Sequence, residues 1–118
     1  MNKQILGAQG EEAVFHYLQG RGFTILDRNW RIKAGEIDLV ALTPNDEIAF
    51  VEVKSRSSRK FGDPLEAITA DKAYRLQKLA LAWLVLHNMW GKEFRIDCAG
   101  VIFGTNGKSE IDYRESVL

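Results

Sequence analysis

Asp38, Glu52 and Lys54 are charged residues set inside strand-like apolar runs, Gly35-Glu36-Ile37-Asp38-Leu39-Val40 and Phe50-Val51-Glu52-Val53-Lys54. Charge in the middle of a buried strand is costly unless something compensates it. The turn-like segment Thr43-Pro44-Asn45-Asp46-Glu47 separates the runs and predicts an antiparallel hairpin, about Glu36–Leu42 with Ile48–Ser55. Pairing Leu42 with Ile48 matches Val40 to Phe50 and places Asp38 opposite Glu52 and Glu36 opposite Lys54. A one-residue slip would turn each of these pairs to opposite faces. Directly opposed side chains hold their Cβ atoms about 4.5–5.5 Å apart, where like charges repel. Two such carboxylates need a shared proton or a cation, and Mg²⁺ or Mn²⁺ suits oxygen-only ligands. The alternative is a structural cluster in which Lys54 and an arginine neutralise the acids. In this register Glu36 is a partner for Lys54 rather than a metal ligand.

The elements that must position these residues follow from periodicity. Leu6–Gly20 reads as an amphipathic helix ended by Gly20-Arg21-Gly22, with Val14, Tyr17 and Leu18 facing the core. At ~100° per residue, Glu11 lies about 20° around the wheel from Leu18, at the edge of the buried face, while Glu12 points to water. Glu11 is therefore a third candidate acid, or else an ordinary partner for a nearby lysine or arginine. Phe23-Thr24-Ile25-Leu26 begins a strand running towards Arg31. Beyond Ser55, the basic and serine-rich stretch through Arg56, Arg59 and Lys60 suits phosphate contact, with Phe61 placed to stack on a base. Such a stretch is equally an ordinary solvated loop. Asp63-Pro64-Leu65-Glu66 predicts a helix start, and Thr69 offers a second N-cap. Leu76, Leu79, Ala80, Trp83, Leu84 and Leu86 are spaced for a wide buried face and mark a helix to about His87, with Gly91 closing its region. Lys72, Arg75 and Lys78 form a basic stripe near its beginning. Phe94–Phe103 is a buried strand in which Asp97 is expected to pair with a basic residue or cap a backbone group. Asn106-Gly107 turns into a last strand through Ile111 and Tyr113.

Helix, antiparallel meander, helix and closing strands predict an α/β (α+β) domain with a mixed sheet flanked by helices. The 118 residues are read as one domain, 1–118. No apolar run is long enough for a membrane helix, and Met1–Gly7 lacks a signal peptide's apolar core. A lone cysteine, Cys98, excludes an internal disulfide and suits a cytoplasmic location. Cys98, His16 and His87 do not have zinc-site spacing. Sixteen basic and sixteen acidic residues leave no net charge, so any nucleic-acid attraction must come from local clusters such as Arg28, Arg31 and Lys33.

Asp38 followed by Glu52-Val53-Lys54, after a helix bearing Glu11, resembles the PD-(D/E)XK nuclease pattern. The chain looks similar to archaeal Holliday-junction resolvases and RecB-type nuclease domains, and more narrowly resembles the YraN-like bacterial family. The matching residues are Gly10-Glu11, Gly22 to Leu26, Asn29-Trp30-Arg31, Gly35 to Val40, Phe50 to Arg56, and Phe61 to Ala67 with Lys72. Ile37 stands where the superfamily has proline. The resemblance implies a restriction endonuclease-like core and a metal-dependent endonuclease acting on DNA, branched or single-stranded. It implies that Asp38, Glu52 and the Val53 carbonyl hold Mg²⁺ or Mn²⁺, with Glu11 completing the set, while Lys54 orients or deprotonates the attacking water. Arg31, Arg56, Arg59, Lys60 and Lys72 would hold the nucleic-acid backbone, and a homodimer follows by analogy. The helix bearing Trp83 and the final strand are contact surfaces or core. The competing functional expectation is a nucleic-acid-binding module on a nuclease fold that does not cut alone.

Overall fold

The computed structural model describes residues 2–58, 66, 68–104, 106 and 108–117. Helix α1 spans Lys3–Gly20; strands β1 (Thr24–Ile32), β2 (Gly35–Leu42) and β3 (Ile48–Arg56) follow; then come α2 (Ala70–Leu86), β4 (Phe94–Phe103) and β5 (Ser109–Arg114). The five strands form one sheet in sequence order. All neighbours are antiparallel except β3 and β4, which run parallel. A parallel pair needs a crossover, and α2 supplies it. The sheet is thus mixed and carries one helix on each face, which agrees with the expected α+β architecture.

Two apolar clusters separate the faces. Ile48 and Phe50 of β3 pack with Leu76, Leu79, Ala80, Trp83 and Leu84 of α2. The alternate residues Ala49, Val51 and Val53 pack with Val14 and Leu18 of α1. Covered on both faces, β3 reads as a near-continuous apolar run, and strand alternation then turns Glu52 and Lys54 towards α2. Trp83 is core, 1% exposed, whereas Leu86, expected on the same buried face, is 64% exposed at the helix end. The Trp83 indole Nε1 donates to Asp27 at 3.0 Å and its ring stacks on His87.

Both helices end in Schellman turns. In α1, Phe23 N donates to Leu18 O and Gly22 N to Gln19 O, with Gly22 at φ +85°. In α2 the corresponding bonds are Met89 to Leu84 and Asn88 to Val85, with Asn88 at φ +56°. Asn88, not Gly91, therefore stops α2. At the other end α1 starts earlier than its apolar pattern, because Asn2 caps it by accepting from Ile5 N. Thr69 caps α2, its hydroxyl accepting from Lys72 N. Asp63 and Pro64, proposed as an earlier helix start, lie outside the described residues, as do Arg59, Lys60, Phe61 and Gly107.

At Gly10, helix α1 approaches β3 closely. A Cβ there would stand 1.7 Å from Ser55 Oγ and 3.0 Å from Ser55 Cβ. Alanine in a helix interior normally gains about 1 kcal/mol over glycine, but overpacking costs ~1–3 kcal/mol. Gly10→Ala is expected to lower unfolding free energy in chemical denaturation despite its better helix propensity, and Gly10→Val to lower it further.

Candidate metal centre and lysine cluster

The β2–β3 ladder runs in the expected register, Leu42 with Ile48 and Val40 with Phe50, but its pairs end at Leu39 and Val51. Beyond that point, Asp38 Oδ2 accepts the Val53 amide at 2.8 Å, so a carboxylate takes a bond that a continuing ladder would have made. Alternation in β2 breaks at the same place: Ile37 and Val40 both belong to the α2-side cluster, while Leu39 belongs to the α1 side. Asp38 therefore does not sit squarely opposite Glu52 in the ladder, although the two carboxylates remain close enough to repel.

Glu36 is a correction. The ladder ends before it could face Lys54, whereas β1–β2 pairing continues and sets it opposite Arg31. Arg31 Nη2 donates to Glu36 Oε2 at 2.7 Å. Carboxylate oxygens of Glu11, Glu36 and Asp38 all lie within 4.8 Å of one another. Glu11 is half-buried and Glu12 exposed, as helix phasing indicated; Glu12 instead pairs with Arg28 and His16. Asn29, at φ +50°, joins the group: its amide, turned with NH₂ towards the acids, donates to Glu11 Oε2 at 2.8 Å and Glu36 Oε1 at 3.2 Å. Its functional placement escaped the sequence reading. Its signals were its place in the matching segment Asn29-Trp30-Arg31 and an asparagine, a residue that tolerates the left-handed region, in the middle of a strand.

Glu52 lies 7% exposed beside this trio. Its Oε1 is 3.0 Å from Lys72 Nζ and 3.5 Å from Lys54 Nζ. Lys72, expected among the backbone-binding residues, is thus brought from the first turn of α2 onto a site acid. Val53 enters through its amide, and strand geometry puts its carbonyl on the same edge, towards the opening between β2 and β3. Arg31 is exposed but tied to Glu36, while Arg56 Nη1 bonds the Ser55 carbonyl at 3.0 Å.

Electrostatics follow from this crowding. Burial, then Glu52, raises the Asp38 carboxyl to about 7, against the opposing hydrogen bond from Val53. Burial and Glu36 also raise Glu11. Burial and its neighbour Lys72 lower Lys54. For Lys72, burial acts downward but is outweighed by hydrogen bonding to Lys54 and Glu52, leaving it raised. The donors are all oxygens, and the buried carboxylates repel one another. That combination fits a hard divalent cation such as Mg²⁺ or Mn²⁺, with Glu11, Glu36 and Asp38 as holders and Glu52 alongside.

Among the described residues, the buried acid outside the cluster has structural partners. Asp97, fully buried, accepts from Arg95 Nε, Tyr113 OH and Ser116 N. Burial pushes the Cys98 thiol up to about 12, leaving it a packing residue at neutral pH.

Because Asp38 is raised above its unfolded value of 3.8, the native state binds more protons than the unfolded chain between these two pKa values. Metal-free stability should therefore fall as pH rises from about 4 to beyond 7. Asp38→Asn, which keeps an oxygen for Val53, should gain on the order of 1–3 kcal/mol at pH 8 without metal. Denaturation of both proteins at pH 5 and pH 8 in a chelator checks the sign.

Residues 10–101 match the family described as "Uncharacterised protein family UPF0102". Among similar proteins, a UPF0102 protein of Nocardioides sp. is 43% identical over 111 residues, covering 94% of this chain and 89% of the relative. One from Clavibacter michiganensis subsp. michiganensis is 43% identical over 110 residues, covering 93% and 92%. The UPF0102 protein Lxx14785 of Leifsonia xyli subsp. xyli is 39% identical over 116 residues and 98% of each chain. With most of its length matched in both comparisons, the chain belongs to the UPF0102 family, the YraN-like family to which its motifs pointed.

Proposed function

We propose that this protein is a metal-dependent endonuclease of the PD-(D/E)XK type that hydrolyses phosphodiester bonds of DNA. The observation that carries the reading is the meeting of Glu11, Asp38, Glu52 and Lys54 at one place in the fold. They come from three elements, and Asp38 lies at the break in the β2–β3 ladder. A structural cluster would be served by one acid and one base; here four carboxylates, counting Glu36, gather at one place, with Lys54 and Lys72 both on Glu52 and Arg31 on Glu36.

A bound Mg²⁺ or Mn²⁺ would polarise the scissile phosphate and acidify a bound water. Glu11, Glu36 and Asp38 would hold the ion, with Glu52 and the Val53 carbonyl as adjoining oxygen donors. Lys54, its pKa lowered by burial and by Lys72, orients the attacking water and takes up its proton at Nζ. Lys72 keeps its charge beside Glu52, offsetting negative charge that grows on the phosphate oxygens. Arg31 and Arg56, together with Arg59 and Lys60 from outside the described residues, would hold the flanking backbone, which selects for strand structure rather than sequence.

One observation favours a second reading, a nucleic-acid-binding module that does not cut alone: Glu52 is already paired with both Lys54 and Lys72. Metal titration separates the two. Calorimetry should detect Mn²⁺ binding that strengthens up to about pH 7 as Asp38 loses its proton and that Asp38→Asn abolishes. On a panel of branched, flapped, linear and single-stranded DNAs with Mg²⁺ or Mn²⁺, the wild type should cut at least one substrate. Lys54→Ala should reduce cleavage about 10²–10⁴-fold, with Glu52→Ala at least as damaging. Salt-dependent binding without cleavage of any substrate would establish the second reading; undiminished cleavage by both variants would remove the mechanism.

A further inference from the structure

We propose that the cleft between the start of α1 and the end of β3 is a binding groove for a single strand of nucleic acid. It rests on the nuclease reading for its role in delivering substrate, and it adds where the strand lies.

The cleft has a volume of about 670 Å³. Glu11 and Lys54 line it and also belong to the acid–lysine cluster, so an occupant of the cleft reaches that cluster directly. Lys3 and Arg56 add positive charge along the walls, while Leu6 and Val53 supply apolar surface. Arg56 is steadied by its bond to the Ser55 carbonyl. Gly7 leaves space: no atom lies within 4 Å of where its Cβ would be. The first turn of α1 carries no acid, so the positive end of its dipole is unopposed there.

Size decides the strandedness. The volume falls within the roughly 300–1,000 Å³ of pockets that enclose small-molecule-sized ligands, which accommodates a nucleotide or two. A duplex, whose grooves alone are about 6–12 Å wide, stays outside. Cations beside apolar surface suit phosphate contact combined with base packing, the usual chemistry of single-strand grooves. The smaller cleft on the α2 side, about 340 Å³, is lined by Glu36, Asp38 and Glu52 as well as Lys72 and Arg75; it holds most of the acids of the metal site, so it takes a phosphate only with a cation bound, whereas the larger cleft has one carboxylate, Glu11, against Lys3, Lys54 and Arg56.

The test fills the cleft. Gly7→Phe projects a ring into open space, on a residue type with better helix propensity than glycine, and thermal unfolding verifies that the fold survives. Fluorescence anisotropy in EDTA and in Ca²⁺ measures binding of labelled single-stranded DNA, single-stranded RNA and blunt duplex DNA. We expect single strands of either sugar to bind more tightly than duplex, and Gly7→Phe to weaken that binding at least tenfold. Gln9→Phe, on the exposed side of α1, should bind as wild type. Replacing Lys3 and Arg56 together by alanine should reduce the salt slope of binding by roughly 1.4, about 0.7 per cation. If Gly7→Phe lowers the melting temperature, Gly7→Glu carries the same expectation by placing a like charge in the groove. Unchanged single-strand binding in a stably folded filled variant, a preference for duplex, or no single-strand binding by wild type would overturn the groove. Cleavage with unchanged filled-variant binding would leave the nuclease and remove the groove. The expected binding pattern without cleavage of any substrate would do the reverse.

Discussion

The bond from the Val53 amide to the Asp38 carboxylate is the constraint on which the rest of the site depends. A strand amide left unpaired in the interior is costly, and here a side chain satisfies it after β2 turns out of register with β3. The diversion opens the sheet between two otherwise paired strands. Glu11, carried by the helix on one face, can then meet Glu36 and Asp38. A regular ladder through Glu36 and Lys54 would have closed that opening and kept Glu11, on the α1 face, apart from the strand acids on the α2 face.

Holding these carboxylates together has a cost that the surrounding structure distributes. Asn29 leaves regular strand geometry and donates to two of them. Arg31, directly across from Glu36, supplies one positive charge from the neighbouring strand. The crossover helix supplies Lys72 to Glu52, joining Lys54 there. Asp38 lies within the field of Lys72, yet burial followed by Glu52 pushes it towards its protonated form, to about 7. That imbalance makes it the position at which an added divalent ion would change the electrostatics most.

Much of the fold was legible in the amino-acid order because its signals are local. The apolar run of β3, turn chemistry at Pro44-Asn45-Asp46 and the apolar stripe from Leu76 to Leu84 each act within one element. The four apolar pairs of the β2–β3 hairpin were legible for the same reason, since a slip would have buried the wrong face. Helix phasing separated Glu11 from Glu12 on the angle of one residue. The end of α2 was read correctly at about His87, but its stop was assigned to Gly91 because glycine is the commoner stop, whereas Asn88 adopts the left-handed turn and Met89 covers it by packing near Leu84.

The residue types of the site, two strand acids, a lysine two positions after the second, and a helical glutamate at the edge of an apolar face, were determined by the sequence alone. Periodicity and the cost of burying charge mark them as candidates, and the family resemblance selects them. Which acid meets which cation was decided only by tertiary structure. Glu36 faces Arg31 because the β1–β2 ladder persists where β2–β3 stops, and Lys72 reaches Glu52 because the parallel β3–β4 pair draws α2 across that face. Such partnerships depend on where ladders end and on how a crossover packs, and those are set by contacts between segments far apart in the chain.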